Sequence, residues 1–259
     1  MTSVLKSVHN VSTTTRKFIA SATSSMPQVR KLSENELGAN YNTDWARTTP
    51  ATIVRAIMVN TLTKGFVQFL AAPKTYGAEH LVDVEGPAIF AANHASHLDT
   101  SLLITQLPSR FRNRSIVAAA ADYFFDRQWK AALWALWLNI IPIEREKVGR
   151  RSADLAARLI GEGYNLVIFP EGTRSRDGGI AKFRGGAAYL GIKCAVPVVP
   201  VYIEGTRDIW RAGRGSIRRG QATVHFGQPL TPLPDERSRE FNDRIENAVR
   251  AMAAHNAVD

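Results

Sequence analysis

The sequence predicts an α/β fold, with a single mixed, mostly parallel sheet covered by helices on both faces and an N-terminal amphipathic helical segment. From residue 80 onward, short apolar runs alternate with helical patterns, the order that a largely parallel sheet requires. The runs are apolar nearly throughout, as expected of strands that are buried on both faces. With 259 residues, 45% of them hydrophobic, the chain can build a full core around such a sheet.

The predicted elements form one domain over residues 75–259. Strands are expected at Leu81–Val84, Ala88–Ala92, Ser115–Ala119, Asn139–Ile143, Leu166–Phe169, Val196–Ile203 and Ala222–Phe226. Helices are expected over Asp99–Gln106, Phe125–Leu138, Ser152–Gly161, Gly185–Ile192 and Asp235–Met252. The last helix places Phe241, Ile245, Val249 and Met252 on one face, so we expect that face to pack on the sheet.

The segment before this domain divides into two parts. Residues 1–48 are basic and rich in Ser, Thr and Asn, with Glu34 as the first acid, so we expect a disordered tail. An organelle transit peptide is the alternative. Residues 49–74 carry apolar side chains mostly at i+3 and i+4 spacing, which predicts an amphipathic helix. Such a helix either packs on the core or lies in a membrane interface.

The charge and the cysteine content exclude several classes of protein. The formal net charge of +10 favours anionic partners, namely nucleic acid, anionic lipid or phosphorylated substrates. The single cysteine, Cys194, excludes an internal disulfide and a multi-cysteine zinc site. No stretch of about 18 apolar residues is free of charge, so hydropathy predicts no transmembrane helix.

Polar residues cluster where the strand Ala88–Ala92 ends, in the stretch Asn93-His94-Ala95-Ser96-His97-Leu98-Asp99. On a continuous helix, residues five apart differ by about 140°, so His94 and Asp99 meet only if the chain turns between them. In that case Asp99 fixes the tautomer of His94, and His94 removes a proton from an acceptor hydroxyl. One alternative is a capping box of Ser96 and Asp99. Another is a metal site of His94, His97 and Asp99.

A second polar stretch, Phe169-Pro170-Glu171-Gly172-Thr173-Arg174-Ser175, follows another apolar strand. Gly172 permits a tight turn, and Arg174 offers the planar donor fork that suits phosphate. Glu171 can orient that arginine or bind a substrate hydroxyl. Downstream, the stretch Lys182-Phe183-Arg184-Gly185-Gly186 opens a helical pattern and is a candidate anion site. The alternative for each stretch is an ordinary turn with solvated charges.

Two weaker stretches complete the set. Arg145 ends Ile140-Ile141-Pro142-Ile143-Glu144-Arg145 and follows a short strand, so it is expected near the same strand-end cleft. The run Val196-Pro197-Val198-Val199-Pro200-Val201 contains two prolines, which a central strand tolerates poorly. This run either lines a pocket for an apolar chain or is an edge or irregular core strand, and the residues alone favour the second.

The order and content of these four stretches, within about residues 80–230, resemble the four motifs of the PlsC-like glycerolipid acyltransferases, which 1-acylglycerol-3-phosphate acyltransferase typifies. The resemblance implies that His94 and Asp99 are the catalytic dyad. The residues that it implies for the acceptor's phosphate and glycerol are Arg145, Glu171, Gly172, Thr173 and Arg174. Candidate contacts for an anion or the acyl donor are Lys182, Gly185 and Pro197.

The same resemblance implies the reaction and the partners. We expect transfer of a fatty acyl group from acyl-CoA or acyl-acyl-carrier-protein to the free hydroxyl of a lysophospholipid, first of all 1-acylglycerol-3-phosphate, giving phosphatidic acid. The alternatives are another lyso-lipid or a glycolipid acceptor and, in a different class, a non-catalytic basic protein that binds lipid or nucleic acid. No recognised nucleic-acid motif is present, so nucleic acid is not an expected partner. We also expect no cofactor and no metal.

The basic surface suggests where such an enzyme acts. Five arginines fall within 13 residues, at Arg207, Arg211, Arg214, Arg218 and Arg219. They either form a solvated loop or contact anionic headgroups. We therefore expect a peripheral protein on an anionic membrane surface, at the cytoplasmic face.

Overall fold

One sheet organises the part of the chain that the structure describes. The computed structural model describes residues 37–144, 150–175, 177–211 and 216–256. The strands are β1 (Lys74–Tyr76), β2 (Ile89–Ala92), β3 (Ser115–Ala120), β4 (Ile140–Ile143), β5 (Asn165–Ile168), β6 (Val198–Glu204) and β7 (Thr223–Phe226). Their order across the sheet is β1-β7-β6-β2-β5-β3-β4.

Strand direction brings five strand ends to one edge. β6, β2, β5, β3 and β4 are parallel to one another. β7 pairs antiparallel with β6, and β1 pairs parallel with β7, so these two strands run the other way. The carboxyl ends of the five parallel strands therefore share an edge, which is where open α/β sheets place their ligands.

Helices cover the sheet. They are α1 (Thr49–Met58), α2 (Lys64–Ala71), α3 (Asp99–Gln106), α4 (Ser109–Arg112), α5 (Ala121–Phe124), α6 (Gln128–Leu138), α7 (Arg150–Gly161), α8 (Gly186–Cys194), α9 (Thr206–Ile209) and α10 (Ser238–Asn256). A π-helical turn, Val59–Thr63, joins α1 to α2. Short 3₁₀ helices occupy Gly38–Asn40, Asp44–Arg47 and Ala78–Leu81.

The core has two sides because side chains alternate along each strand. Ile89 and Ala91 belong to the hydrophobic cluster that includes buried side chains of α7, α8 and α10. Between them, Phe90 packs its ring edge-on against Phe111, at 5.5 Å between centroids, and against Phe226, at 6.3 Å. The predicted mixed, mostly parallel sheet with helices is confirmed.

Two predicted features of the sheet differ from the structure. The expected strand Leu81–Val84 is the end of a 3₁₀ helix and a turn, and Val82 is exposed. The edge strand β1 was not predicted, because Lys74 and Tyr76 are exposed and carry no apolar pattern. This strand depends on its pairing with β7, which lies about 150 residues further along the chain.

The run with two prolines is a central strand and not an edge strand. Pro200 lies in β6, beside Ala91 of β2. On the other side β6 pairs with β7 only from Val201 onward, and the Pro200 carbonyl accepts the amide of Gly227, just past the end of β7. The nitrogen and the carbonyl of one strand residue face the same side, so the nitrogen without a hydrogen faces the end of β7 and the bonds between β6 and β2 do not involve it. Pro142 lies in β4, an edge strand, as proline usually requires.

The N-terminal segment is partly packed and partly exposed. Residues 37–48, expected as tail, form two of the 3₁₀ helices, and Thr43 and Ala46 are buried; residues 1–36 lie outside the described part. The amphipathic helix is present as α1 and α2, which pack against α6 and α3. Pro50 starts it, and Ala72, in left-handed conformation before Pro73, ends it.

Candidate active site

A cleft of about 1230 Å³ opens at the carboxyl edge of the parallel strands. His94 and His97 line it from the turn that follows β2. Apolar walls come from the ends of β3, β4 and β5 and from short segments beside them. They are formed by Val117, Ala118, Ala119, Ala120, Phe124, Ile140, Ile143, Ile168 and Ile180. The cleft thus has a polar opening beside His94 and His97, which we call the polar mouth, and an apolar interior.

His94 and Asp99 meet in a hydrogen bond at the mouth of this cleft. The distance from Nδ1 of His94 to Oδ2 of Asp99 is 2.8 Å. Oδ2 also accepts the backbone amides of Ala95, at 2.7 Å, and Ser96, at 2.8 Å, so the chain wraps around the carboxylate. Asp99 is the first residue of α3, whose N-cap is Leu98 without a side-chain cap bond, so the capping box of Ser96 and Asp99 does not form at this helix. The bond from the Ser96 amide to Oδ2 is the part of it that is present.

The environment of the pair determines which nitrogen of His94 is available. Asp99 is fully buried, whereas 19% of the His94 side chain is exposed. Because the carboxylate accepts, Nδ1 must carry the hydrogen, and Nε2 then has its lone pair free for a proton. The imidazole stacks on Phe169, with 4.2 Å between ring centroids, which fixes its plane. This geometry suits a general base that acts on a group in the cleft.

Glu171 connects two loops from a buried position. Its Oε1 accepts the backbone amide of His94 at 2.7 Å, and its Oε2 accepts the amide of Ala181 at 2.9 Å. Burial raises the pKa of this carboxyl, and the two amides act in the opposite direction. Glu171 is not among the described residues that line the cleft. The direct acceptor contact implied by the resemblance stays a prediction, while the visible role is to hold the backbone of His94.

The guanidinium of Arg174 lies in the cleft, beside the rings of His97 and Tyr123. Its Nη1 lies 2.8 Å from Nε2 of His97 and also contacts Nδ1, and its guanidinium lies 5.5 Å from the ring centroid of Tyr123. Burial, and then the charge of Arg174, lower the pKa of His97, which matches an uncharged imidazole that accepts from the arginine. A cation at the ring of His97 also argues against this histidine as a metal ligand.

Gly172 leaves space for the side chain of Arg184 at the polar mouth. Its φ is +75°, and a Cβ there would approach Nε and Cζ of Arg184 to 2.9 Å, so a side chain would displace the arginine. Arg184 and Arg211 line the cleft with Arg174, as does the exposed Thr173. Several cationic groups therefore face one space, although Asp177 and Glu144 also line it.

Four other predicted site residues are not among the described residues that line the cleft. Arg145 lies outside the described residues. Lys182 and Gly185 are exposed and are not among the described residues that line the cleft; their neighbours Arg184 and Gly186 line it instead. Pro197 precedes β6 at the amino end of the strand, so the structure places it at the opposite edge of the sheet from His94.

Tyr123, Arg184 and Arg211 line the cleft, although the sequence did not predict them as contacts of the acceptor or the acyl donor. Arg184 belongs to a stretch recognised as a candidate anion site, so its sequence context carried a signal. Arg211 was predicted only as one of five arginines that form a solvated loop or contact anionic headgroups. Tyr123 and Arg211 both reach the cleft through the packing of segments after β3 and β6.

A hydrogen-bonded His–Asp pair at a cleft that combines cations with apolar walls is an arrangement suited to general-base catalysis. The Acyltransferase family model matches residues 73–204, just over half of the chain. The chain therefore belongs to the acyltransferase family.

Similar proteins carry related names. The chain is 32% identical over 162 residues to a 1-acyl-sn-glycerol-3-phosphate acyltransferase of Limnanthes douglasii, a match covering 61% of this chain and 54% of that protein. It is 28% identical over 163 residues to 1-acyl-sn-glycerol-3-phosphate acyltransferase alpha of Homo sapiens, covering 62% and 54%. The chain thus spans about half the length of these relatives.

A solved structure shares the fold. The crystal structure of the 1-acyl-sn-glycerophosphate acyltransferase PlsC from Thermotoga maritima matches with a TM-score of 0.64 and 21% sequence identity. The match covers 82% of this chain and 85% of that one, so the common fold extends well beyond the motifs.

Proposed function

We propose that the protein transfers a fatty acyl group from an acyl thioester to the free hydroxyl of a lysophospholipid, with 1-acylglycerol-3-phosphate as the first candidate acceptor. The observation that carries the proposal is the His94–Asp99 pair, which opens into a cleft with arginines at its mouth and apolar walls inside. A lysophospholipid with a phosphate has this same division into an anionic end and an apolar chain. The names of the relatives support the choice of acceptor.

The proposed step begins with proton transfer to His94. Nε2 takes the proton of the acceptor hydroxyl as its oxygen attacks the thioester carbonyl. Asp99 stabilises the imidazolium through the 2.8 Å hydrogen bond to Nδ1. The tetrahedral intermediate then expels the thiolate, which takes the proton from His94, so the products are the ester and a free thiol. The donor is acyl-CoA or acyl-acyl-carrier-protein, and the step needs no resident cofactor.

The acceptor's phosphate binds at the arginines of the polar mouth. Arg174 presents its guanidinium there, held by His97, with Arg184 and Arg211 on the same cleft. Guanidinium groups bind phosphate through paired, charge-assisted hydrogen bonds, which supply orientation as well as attraction. The acceptor-binding role of Arg145 stays a prediction. In this arrangement Glu171 acts on the acceptor indirectly, by holding His94.

An exposed apolar face on α1, α2 and the π-helical turn between them supports a peripheral membrane location. Its exposed side chains are Ile53, Val54, Ile57, Leu62, Phe66 and Phe69. Arg219 lies over the ring of Phe69, with its Cζ 3.4 Å from the centroid, so a cation accompanies the apolar face. Such a combination suits an anionic bilayer interface. Among the helices of the described residues, none combines the length and hydropathy that crossing a bilayer requires.

Turnover measurements test the reaction. Purified protein is incubated with acyl-CoA, or with acyl-acyl-carrier-protein, and a panel of lyso-acceptors, and the products are identified by lipid mass spectrometry. We expect phosphatidic acid from 1-acylglycerol-3-phosphate, and we expect His94→Ala to lower turnover by about 10² or more. Turnover of another lyso-lipid or of a glycolipid alone would reassign the acceptor. No acyl transfer to any acceptor would refute the proposal.

Co-sedimentation with vesicles tests the membrane location. Phe69→Glu should weaken binding to vesicles that contain anionic lipid, and high salt should weaken binding of the unaltered protein. Ile192→Glu is the matched control, because Ile192 is an exposed apolar residue of α8, away from this face. Equal loss in both variants, or no binding by the unaltered protein, would contradict docking through α1 and α2.

A further inference from the structure

The turn that holds His94 is tied by side chains to the end of β6 and to the segment that follows it. β2 and β6 are neighbouring parallel strands, with Ala92, the last residue of β2, beside Val201, and β6 continues to Glu204 past that point. Asn93 accepts the amide of Ile203 at 2.7 Å and donates to the Ile203 carbonyl at 2.9 Å. This pair of bonds extends the contact between the two strands past the last residue of β2.

A second tie reaches Asp99 itself. The hydroxyl of Thr206 donates to Oδ1 of Asp99 at 2.5 Å, and both residues are buried. The three N–H groups that Asp99 accepts all act on Oδ2, so among the described residues the Thr206 hydroxyl is what holds the other oxygen. Thr206 lies outside all four stretches that resemble the acyltransferase motifs.

The backbone conformation of Gly205 places Thr206 beside Asp99. Gly205 has φ +78°, and a Cβ there would lie 2.2 Å from the carbonyl oxygen of Gln221, so the turn requires glycine. Thr206 then begins α9, directly after β6. The sharp turn at the end of β6 thereby directs the threonine toward the neighbouring strand end, where Asp99 lies.

We infer that Thr206 is a positioning residue of the active site, which orients the Asp99 carboxylate toward His94. The expected change in kcat rests on the proposed acyl transfer. The contact between Thr206 and the His94–Asp99 pair does not depend on it. Without the hydroxyl, the carboxylate remains bonded only at Oδ2 and can turn about that atom. A carboxylate that is less well oriented stabilises the imidazolium of His94 less.

Other charged groups face the dyad and stay unchanged in the test. They are Glu171, His97 and Arg174 beside it, and Glu144, Asp177, Arg184 and Arg211 on the walls of the cleft. Because these groups are common to all variants, a change in the pH dependence reports the link between Thr206 and Asp99.

The experiment compares Thr206→Val, which keeps the shape but loses the hydroxyl, with Thr206→Ser, which keeps the hydroxyl. Thr105→Val is the matched control, because Thr105 is a buried threonine whose hydroxyl donates to backbone carbonyls within α3. Two quantities are measured: kcat and KM over a range of pH, and the titration of His94 by NMR of histidine-labelled full-length protein. The His94 signal is assigned with His94→Gln.

We expect Thr206→Val to lower kcat by about tenfold, which corresponds to about 1.4 kcal/mol, with little change in either KM. The acid limb of the rate profile and the titration of His94 should both move to lower pH, because a carboxylate that is less well oriented stabilises the imidazolium less. Thr206→Ser should restore both, and Thr105→Val should alter neither. If Thr206→Val does not fold, Thr206→Cys, a weaker donor of similar size, should show the same changes.

Several outcomes would overturn the inference. They are an unchanged His94 titration in Thr206→Val, an equal change in Thr105→Val, and a failure of Thr206→Ser to restore the titration. If the proposed function is wrong, the unaltered protein forms no ester from any acceptor. The NMR titration of His94 does not need turnover, so it would still test the role of Thr206.

Discussion

Replacing Asp99 by asparagine isolates the charge of the dyad from its geometry. The oxygen of an asparagine can take the place of Oδ2 and accept the same three N–H groups, from His94, Ala95 and Ser96. Its NH₂ group then faces Thr206, whose hydroxyl can turn to accept. We therefore expect Asp99→Asn to fold and to keep His94 in the same tautomer, with only the anionic partner removed.

The expected loss follows from the distance between the two groups. A carboxylate and an imidazolium joined by a 2.8 Å hydrogen bond have charge centres about 4 Å apart, which gives about 4 kcal/mol at an effective dielectric constant near 20. His94 is partly exposed to the cleft, so solvent screens part of this attraction. A remaining loss of about 3 kcal/mol lowers kcat by roughly two orders of magnitude.

Steady-state kinetics with acyl-CoA and 1-acylglycerol-3-phosphate measure this loss, and circular dichroism confirms the fold. The loss should appear in kcat, because the imidazolium forms only during the reaction, and both KM values should change little. A variant that folds and retains kcat within a few-fold of the unaltered protein would refute the idea that Asp99 stabilises a charged His94.

Three further changes test the surroundings of the dyad. Arg174→Ala should raise the KM of the acceptor several-fold and leave that of the donor nearly unchanged, and an equal rise in both would contradict a phosphate site. Glu171→Gln turns an NH₂ toward one of two backbone amides, so urea unfolding should show a loss of about 2 kcal/mol, with a lower kcat. A selective rise in the acceptor KM would instead indicate direct contact between Glu171 and the acceptor. The pKa of His97 is lowered in the folded state, so the folded chain binds its proton less tightly than the unfolded chain does. Stability should therefore fall as pH falls below about 6.5, and His97→Gln should reduce that slope; an unchanged slope would contradict it.

Local sequence was enough to predict the layered fold, and the resemblance of its motifs to a known family was needed to choose the His94–Asp99 pair over a capping box or a metal site. Strands buried on both faces must be mostly apolar, and β7 buries only Val224 and Phe226. β2 to β7 were recognisable from such runs, with ends displaced by at most two residues. His94 and Asp99 follow the same strand, and a single turn of the chain brings them together. Glu171 and Arg174 follow another parallel strand, so both stretches had to emerge at the same edge of the sheet.

Tertiary structure alone decided which contacts those residues make. The sheet order and the reversed direction of β7 depend on pairing between distant segments, and β1 exists only because β7 lies beside it. Glu171 turns inward because its carboxylate meets two backbone amides, one of them 77 residues away. Thr206 reaches Asp99 across 107 residues of chain because β6 lies beside β2. Local patterns carry no signal for such pairs, since a hydrogen bond between distant residues is set by how the strands pack.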